Sequence, residues 1–345
     1  MTSWAGGAVP ISLLVMGTVS SLGAAEYSLR VGRPGVAARV GLSDQRPDSF
    51  HARLGSAREQ VRSGRFQQAI PLLKTLLAED PASAEAHMLL GVALRSLAAP
   101  DFLGEAQAEL RQALMLDPGL HWARFALARI YMDLGRDARA QQELEAGLKG
   151  LPNQPLFLSF LGEVYRRLGH PQRSLTLCEE ALTREPKLSI PRLHRALAWR
   201  DLGEPGKAVK ELEAGLQGAP VLPEMLRTLG VLYLQTEKTD QAVRILERAV
   251  ALEPSSAEGH LHLARAHLQQ RQPDEALRQL TQALPAGATM LTSPYFQNLE
   301  ADVYFAKGEA YWMKGEKEAA LKAYRRVLEI APDHREARDR LARPY

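Results

Sequence analysis

The sequence predicts an all-α solenoid of about eight helix-turn-helix units, because three kinds of residue recur at one period. Proline returns every 34 residues through the middle of the chain. A small residue lies twelve positions before each proline, and in the regular units a second lies twelve positions earlier. This period is typical of stacked two-helix units that contact only their neighbours. We therefore expect function to reside in a long interaction surface.

The repeat markers extend from residue 50 to residue 334. Proline ends a helix and begins the turn into the next unit, whereas small residues predict close approach of two helices. The prolines are Pro81, Pro118, Pro152, Pro186, Pro220, Pro254 and Pro332; the first small series is Ala57, Gly91, Ala128, Gly162, Ala196, Gly230, Ala264 and Gly308; the second is Ala69, Ala106, Ala140, Ser174, Ala208, Ala242, Ala276 and Ala320.

Small, small and proline at these offsets resemble the tetratricopeptide repeat, in which they occupy positions 8, 20 and 32 of 34 residues. The resemblance implies a right-handed superhelix whose first helices line a concave wall. It identifies the fold far better than the function. Eight units fit the sequence: 50–83, 84–120, 121–154, 155–188, 189–222, 223–256, 257–290 and 301–334.

Local departures from the period predict particular structures. Glycine at the end of the first helix favours a left-handed closing turn, at Gly64, Gly135, Gly169, Gly203 and Gly315. Three extra residues near Asp101 predict an enlarged turn inside the second unit. Ten extra residues before the eighth unit predict a long first helix from Pro294 to Met313, and residues 335–345 are expected to form a capping helix or tail.

The first 25 residues resemble a secretory signal peptide cleaved before Glu26. They contain no charged side chain and carry an apolar run from Val9 to Val19, followed by small residues. Residues 26–49 are predicted to be a flexible linker. Export to the periplasm or the medium follows from this interpretation; an uncleaved membrane anchor or a cytoplasmic protein is the alternative. Membrane contact is expected only through this segment, if it is not cleaved.

Catalytic and metal chemistry is not expected in this chain. Cys178 is the single cysteine and falls where other units carry leucine, which favours a packing role. His260, His262 and His267 lie close in sequence, but two of them occupy packing slots of the repeat. No phosphate-binding or dinucleotide-binding motif is present. We predict a protein without enzymatic activity, cofactor or bound metal. The formal charge of +3, spread without long blocks, also argues against nucleic-acid binding.

The resemblance also implies which side chains face the concave groove, namely repeat positions 2, 5, 9, 12 and 13. The first five units offer a mixed basic and apolar wall, which predicts a partner segment that is acidic and apolar. The groove candidates are Arg58, Arg62, Met88, Val92, Arg95, Trp122, Phe125, Arg129, Met132, Leu156, Arg166, Arg167, Leu193, Leu197 and Arg200; a secondary aromatic surface comprises Tyr295, Phe296, Phe305 and Trp312.

The functional hypothesis is a scaffold that binds a protein or peptide in this groove, in bacterial envelope assembly, secretion or polysaccharide export. A non-catalytic regulatory or specificity subunit of an enzyme complex, such as a glycan synthase, is the main alternative. A structural homo-oligomer built through the aromatic helix of the eighth unit is a third interpretation. The sequence does not identify the partner.

Overall fold

The computed structural model describes residues 49–97, 100–218, 220–284 and 294–342. Within helices, the side chains of residues 100–101 and 294–297 are not described. The predicted export segment and nearly all of the predicted linker lie outside the described residues, and so do the side chains of Tyr295 and Phe296. Contacts divide the chain into two units, one ending at Pro186 and the other beginning at Lys187.

Eight helices form the N-terminal unit. They are α1 (Phe50–Arg62), α2 (Phe66–Glu79), α3 (Ala84–Ser96), α4 (Pro100–Leu116), α5 (His121–Asp133), α6 (Asp137–Gly150), α7 (Pro155–Arg167) and α8 (Pro171–Arg184). Successive helices pack against one another, both within a repeat and from one repeat to the next.

Nine helices form the C-terminal unit. They are α9 (Ser189–Asp201), α10 (Pro205–Gly218), α11 (Pro223–Gln235), α12 (Thr239–Leu252), α13 (Ala257–Gln269), α14 (Pro273–Ala283), α15 (Pro294–Met313), α16 (Lys317–Ile330) and α17 (Arg335–Ala342). Across the described ranges of both units there are helices and turns but no strand. The prediction of an all-α fold built from helix-turn-helix repeats is confirmed.

Helix lengths follow the repeat closely. The first helices of the first seven repeats have 13 residues each, and most second helices have 14. The predicted long helix of the eighth repeat is confirmed, since α15 begins at Pro294 and ends at Met313. A short helix, α17, follows the last repeat and exposes a charged outer face that includes Arg335, Glu336 and Asp339. The C-terminal repeat is thus covered by a solvated cap.

The small residues lie at contacts between paired helices, as predicted. All eight members of each small series are buried. A Cβ atom at Gly91 would lie 2.6 Å from Leu110 Cγ, and at Gly230 it would lie 2.6 Å from Leu246 Cδ2. Real Cβ atoms do not approach so closely, so larger side chains at these glycines would force the paired helices apart.

The three extra residues of the second repeat lengthen a helix, and the expectation of an enlarged turn was wrong. α4 has 17 residues where other second helices have 14, and only residues 97–99 separate it from α3. The extension begins at Pro100, a residue that suits the first helical position because its missing N–H would have no partner there. The period is therefore broken without a change in the length of the turn.

The turn between the two helices contains a left-handed residue in seven of the repeats, all except the second, whose turn is only partly described. The predicted glycines adopt it, with φ between +68° at Gly135 and +84° at Gly169. Repeats six and seven use Glu237 and Arg271 at the same place, each with φ of +58°. Side chains with a Cβ are strained in this conformation, by about 1–2 kcal/mol per residue. The C-terminal unit therefore contains two strained turns.

Relieving this strain should stabilise the protein. We expect Glu237→Gly and Arg271→Gly together to raise the free energy of unfolding by about 1 kcal/mol, since glycine gains less than the full strain energy after its entropy cost. Glu247→Gly in the exposed middle of α12 is the matched control and should instead cost about 1 kcal/mol. Thermal unfolding monitored by circular dichroism measures both; equal losses in the two variants would contradict the turn assignment.

Tyrosines at repeat position 11 connect neighbouring repeats. The Tyr165 hydroxyl donates to Glu145 Oε1 at 3.0 Å, and the Tyr233 hydroxyl donates to Glu213 Oε1 at 2.6 Å. In each case the acceptor lies on the second helix of the preceding repeat. Burial raises the pKa of both tyrosines, and the neighbouring carboxylates add to the effect. These bonds hold consecutive repeats together through uncharged tyrosine.

The hydrogen bond between Tyr233 and Glu213 predicts how the stability of the protein changes with pH. Because the folded pKa of Tyr233 is raised, its contribution is present below the unfolded value of about 10 and is lost as pH rises further. Tyr233→Phe should therefore cost about 1–3 kcal/mol near pH 7, with the deficit shrinking above pH 10. Urea unfolding of both proteins at pH 7, 9 and 11 tests this. A deficit that grew with pH would contradict it.

The repeat prolines also act through their carbonyl groups. His260 Nε2 lies 3.0 Å from the Pro254 oxygen, and the corresponding atom of His87 lies 3.1 Å from the Pro81 oxygen. Arg338 Nη2 donates to Pro332 O at 2.7 Å. His87 and His260 stand at the same point of two repeats, and Arg338 stands at the equivalent point of the capping helix α17. The proline that ends one repeat is thereby bonded to the first helix of the next.

Candidate functional site

The predicted groove residues fall on the first helices of five repeats, and each unit carries its own part of the set. Arg58 to Arg167 lie on α1, α3, α5 and α7 of the N-terminal unit, while Leu193, Leu197 and Arg200 lie on α9 of the C-terminal unit. Side-chain burial separates these candidates into three groups: packed apolar residues, paired arginines and a few half-buried residues.

Most of the apolar candidates are packed inside the protein. The exposed fraction of their side chains is 7% or less for Met88, Phe125, Met132, Leu156, Leu193 and Leu197. Val92 and Trp122 are only half-buried. The Trp122 ring meets Phe125 edge-on with centroids 5.5 Å apart and Phe157 at 5.4 Å. The aromatic wall is therefore largely a packed cluster, with Trp122 at its accessible border.

Several basic candidates are bonded to acids of the same unit. Arg95 pairs with Asp133 at 2.9 Å across neighbouring first helices, and both side chains are nearly buried. Arg58 pairs with Glu85 at 2.6 Å in the same way. Arg166 holds Glu163 through two hydrogen bonds of 2.7 and 2.8 Å. Each of these arginines is neutralised within the wall.

The remaining arginines are held by other means. The Arg129 guanidinium lies 5.0 Å from the centre of the Phe160 ring. Arg62 is 3.6 Å from Glu59, and the partly exposed Arg200 pairs with the adjacent Asp201. An acidic partner at this wall would have to displace internal carboxylates or bind beside them, which reduces the net attraction.

The acids that pair with the groove arginines were not identified from the sequence. Arg58 at repeat position 9 meets Glu85 at position 2 of the next repeat, and Arg265 meets Asp302 in the same relation at 3.0 Å. Opposite charges at positions 9 and 2 of successive repeats are visible in the sequence once the units are aligned. The pairing could therefore have been predicted there, and the spacing of three residues also allows a pair between Glu163 and Arg166, but the complete burial of that pair could not be predicted.

A buried ionic cluster lies in the C-terminal unit. Arg227 on α11 is fully buried, and its Nη1 is 2.7 Å from Oε2 of Glu253, the residue that directly follows α12 in the same repeat. Its Nε lies 3.7 Å from Glu258 Oε2 on the following repeat. One guanidinium thus balances carboxylates from two successive repeats. Arg227 holds repeat position 5, which the resemblance assigns to ligand contact, but its side chain is buried and ion-paired inside the protein.

Two members of the candidate aromatic surface, Phe305 and Trp312, take part in packing. Phe305 stacks on His334 with ring centroids 4.9 Å apart and approaches Tyr324 at 5.7 Å. Trp312 packs against the same buried group. Both rings are half-buried. These two rings anchor the last repeat and its capping helix, which reduces the aromatic surface that they can offer to a partner.

Cysteine and histidine side chains pack as expected from their positions. Cys178 is fully buried opposite Gly162. His260 Nδ1 lies 2.8 Å from Gln279 Oε1, and His267 Nδ1 lies 2.9 Å from Gln272 Oε1. Burial lowers the pKa of His262, and the positive charges of Arg265 and Arg227 act in the same direction. Within the described residues, no three potential ligands converge on a metal position.

These features define an α-helical repeat protein in which regular bonds join consecutive repeats within each unit. The chain belongs to the tetratricopeptide repeat family. Four models of that family match it, at residues 54–121, at 103–164 and 233–303, at 158–189, and at 301–334. Proteins of this family are generally non-catalytic interaction scaffolds that bind proteins or peptides. Among the described helices, none combines the length and hydropathy required to span a bilayer.

Two curated relatives are similar to short stretches of the chain. Cellulose synthase operon protein C of Pseudomonas fluorescens (strain SBW25) is 49% identical over 53 residues, which is 15% of this chain and 4% of the relative. The protein of the same name from Xanthomonas axonopodis pv. citri (strain 306) is 33% identical over 99 residues, 27% of this chain and 7% of the relative. The chain therefore corresponds to a small part of these proteins.

Solved structures resemble the chain over most of its length. The Cut9–Hcn1 hetero-tetramer of the APC/C gives a TM-score of 0.63 at 18% identity, covering 84% of this chain and 55% of that one. The human IFIT1 dimer with m7Gppp-AAAA gives the same score and identity, covering 84% and 73%. At this identity the likeness concerns the fold alone.

Proposed function

We propose that this protein is an exported interaction scaffold that organises other proteins during polysaccharide export across a bacterial envelope. Family membership supports the scaffold part of the proposal. The local similarity to cellulose synthase operon protein C supports the polysaccharide part. Export rests on the apolar N-terminal sequence with its small-residue cleavage site.

The observation that carries the proposal is the regular bonding between repeats. Tyr233 bonds to Glu213, His260 to Pro254 and Arg265 to Asp302, so the consecutive repeats of the C-terminal unit are fixed to one another. A stack held in this way presents its surface with little reorganisation, which lowers the entropy cost of binding a partner. An interface of ordinary size, about 1,600 Å², would occupy only part of such a surface.

The second candidate is a non-catalytic specificity subunit of a glycan synthase. The same local similarity favours it, because those relatives are named for a cellulose synthase operon. In this case the stack would position a catalytic polypeptide instead of joining export components. Both candidate functions use the same surface of the repeats, but they require different partner proteins.

Chemical crosslinking in native cells, followed by capture of the full-length chain and mass spectrometry, separates the candidates. Recovery of envelope export proteins without a synthase supports the scaffold. Stoichiometric recovery of a glycosyltransferase supports the specificity subunit instead. A chain recovered alone, after crosslinking that joins a known control complex, would contradict both. The N-terminus of the captured chain, read by intact mass, tests export, since residues 1–25 retained on a protein found only in the cytoplasm would reject it.

A further inference from the structure

An accessible basic and apolar surface of the N-terminal unit lies outside the predicted groove. It is formed where the first helix turns into the second in repeats three and four. Leu134 and Leu168 stand at the same point of these two turns, and their exposed fractions are 40% and 37%. Exposed leucines at equivalent positions of adjacent repeats form an apolar pair that is accessible to a partner.

Arg167 brings the two turns together. Its Nη2 donates to the Met132 carbonyl at 2.9 Å and lies 3.1 Å from Asp137 Oδ1. Met132 and Asp137 flank the first turn, whereas Arg167 directly precedes Leu168 in the second. The two leucines are therefore held on neighbouring parts of one edge. The same contact pairs Asp137, an acid beside this edge, with Arg167.

Three arginines surround the leucines. Arg136, Arg139 and Arg173 are exposed, and in the described part of the chain no ion pair is formed by any of them. The Arg173 guanidinium lies 3.9 Å from the centre of the Tyr165 ring, and that of Arg139 lies 5.9 Å from the Tyr131 ring. Stacking on buried rings holds these two cations in place and leaves their donors available.

The position of these arginines is unfavourable for the helices themselves. Arg136 precedes α6, and Arg139 and Arg173 lie in the first turns of α6 and α8. The positive end of the helix dipole disfavours cations there. In the C-terminal unit the first turns of α12, α14 and α16 carry acids, at Asp240, Asp274 and Glu318, whereas that of α10 carries Lys207. Arg139 and Arg173 depart from this local preference on adjacent repeats, and such departures are expected at functional sites.

We infer that the edge formed by Leu134, Arg136, Arg139, Leu168 and Arg173, named here the turn edge, docks an acidic amphipathic segment of a partner protein. The inference rests on the proposed scaffold function and moves the acidic, apolar partner from the inner wall to this edge. Charge decides between the two surfaces: Arg95 and Arg166 on the wall are neutralised internally, whereas the arginines of the turn edge are not. Fixed guanidiniums beside leucines suit carboxylates alternating with apolar side chains.

A designed probe tests the docking chemistry directly. An acetylated, amidated helical peptide of about 18 residues, with leucine on one face and glutamate on the other, is titrated against the full-length protein by fluorescence anisotropy. Its leucine and lysine counterpart is the probe control. We expect salt-sensitive binding of the acidic peptide and at least tenfold weaker binding of the basic one. Equal affinity for the two peptides would overturn the inference.

Matched variants locate the binding. The triple variant R136E/R139E/R173E should weaken the acidic peptide at least tenfold, and L134S/L168S should weaken it severalfold with an unchanged salt dependence. The control R244E/R248E/R325E makes the same charge change at exposed arginines of α12 and α16 and should change affinity less than threefold. Far-ultraviolet circular dichroism confirms that each variant is folded. An equal loss in the control would show unspecific attraction and overturn the inference.

The same variants can also show whether a membrane or a second copy of the chain binds to the turn edge. Phosphatidylglycerol vesicles that bind through the same arginines while the acidic peptide does not would identify a membrane surface instead. A concentration-dependent dimer abolished by L134S/L168S in sedimentation would identify a second copy of the chain. Either result rejects a partner protein at this edge. Cellular partners captured equally well by the wild type and the triple variant would reject the turn edge and leave the scaffold function standing.

Discussion

Arg227→Met is expected to lower the free energy of unfolding by about 3–5 kcal/mol, the largest loss predicted for any single substitution in this protein. Arg227 is fully buried between Glu253 and Glu258. Methionine fills a similar volume but leaves two carboxylates without their common counterion in a region of low dielectric. The physical cause is the remaining charge, since packing is nearly preserved.

The control for this prediction is Arg248→Met, which makes the same change at an exposed position of the neighbouring helix α12 and should alter stability by less than about 0.5 kcal/mol. A triple variant in which Glu253 and Glu258 also become glutamine and leucine should recover part of the loss, because the uncompensated charges are removed. Guanidinium unfolding at pH 7 measures all of them. Similar midpoints for Arg227→Met and Arg248→Met would show that the buried cluster does not bear on stability.

Gly230→Leu is the second large effect expected. Gly230 faces Leu246 so closely that a Cβ atom would lie 2.6 Å from Leu246 Cδ2 and 3.0 Å from its Cδ1. Leu246 is itself fully buried and cannot move into solvent. Overpacking at this contact should cost about 1–3 kcal/mol and should separate α11 from α12.

A double-variant cycle distinguishes overpacking from loss of the helix. Leu246→Ala alone should destabilise by about 2–5 kcal/mol through the cavity it leaves. In the pair, the new leucine should fill that cavity, so the double variant should be more stable than the sum of the single losses predicts. Additive losses would show that the two residues do not contact each other. Gly162→Leu is expected to be costly for the same reason, since a Cβ there would lie 3.1 Å from Cys178 Sγ.

Most of the fold could be predicted from the sequence because backbone constraints leave characteristic residues. Proline at the end of a repeat, glycine in the left-handed turn and a small residue between paired helices each have one dominant structural cause. The exact span of α15 followed from Pro294 at its start and the turn glycine Gly315 beyond its end. The extension of α4 was misassigned, although Pro100 signalled a helix start.

The candidate site was less predictable because it depends on which side chains meet across repeats. The family resemblance places Arg95 and Arg166 in a groove, but a repeat position does not reveal that Asp133 and Glu163 neutralise them. Conversely, Arg136 and Arg173 do not occupy groove positions of the repeat. The structure was needed to show that both are exposed and that Arg173 stacks on Tyr165. The repeat pattern therefore predicts helix packing reliably, but it predicts poorly which charged side chains pair with each other.

The measurement that tests the central claim most directly is hydrogen exchange of the full-length protein with and without its captured partner. A scaffold that binds through its repeat surface should show slower amide exchange in a contiguous set of helices on binding. If the turn edge is the docking surface, the slowed amides should include the ends of α5 and α7 and the starts of α6 and α8. Unchanged exchange throughout residues 50–342, with the complex formed, would contradict a function for the repeats in partner binding.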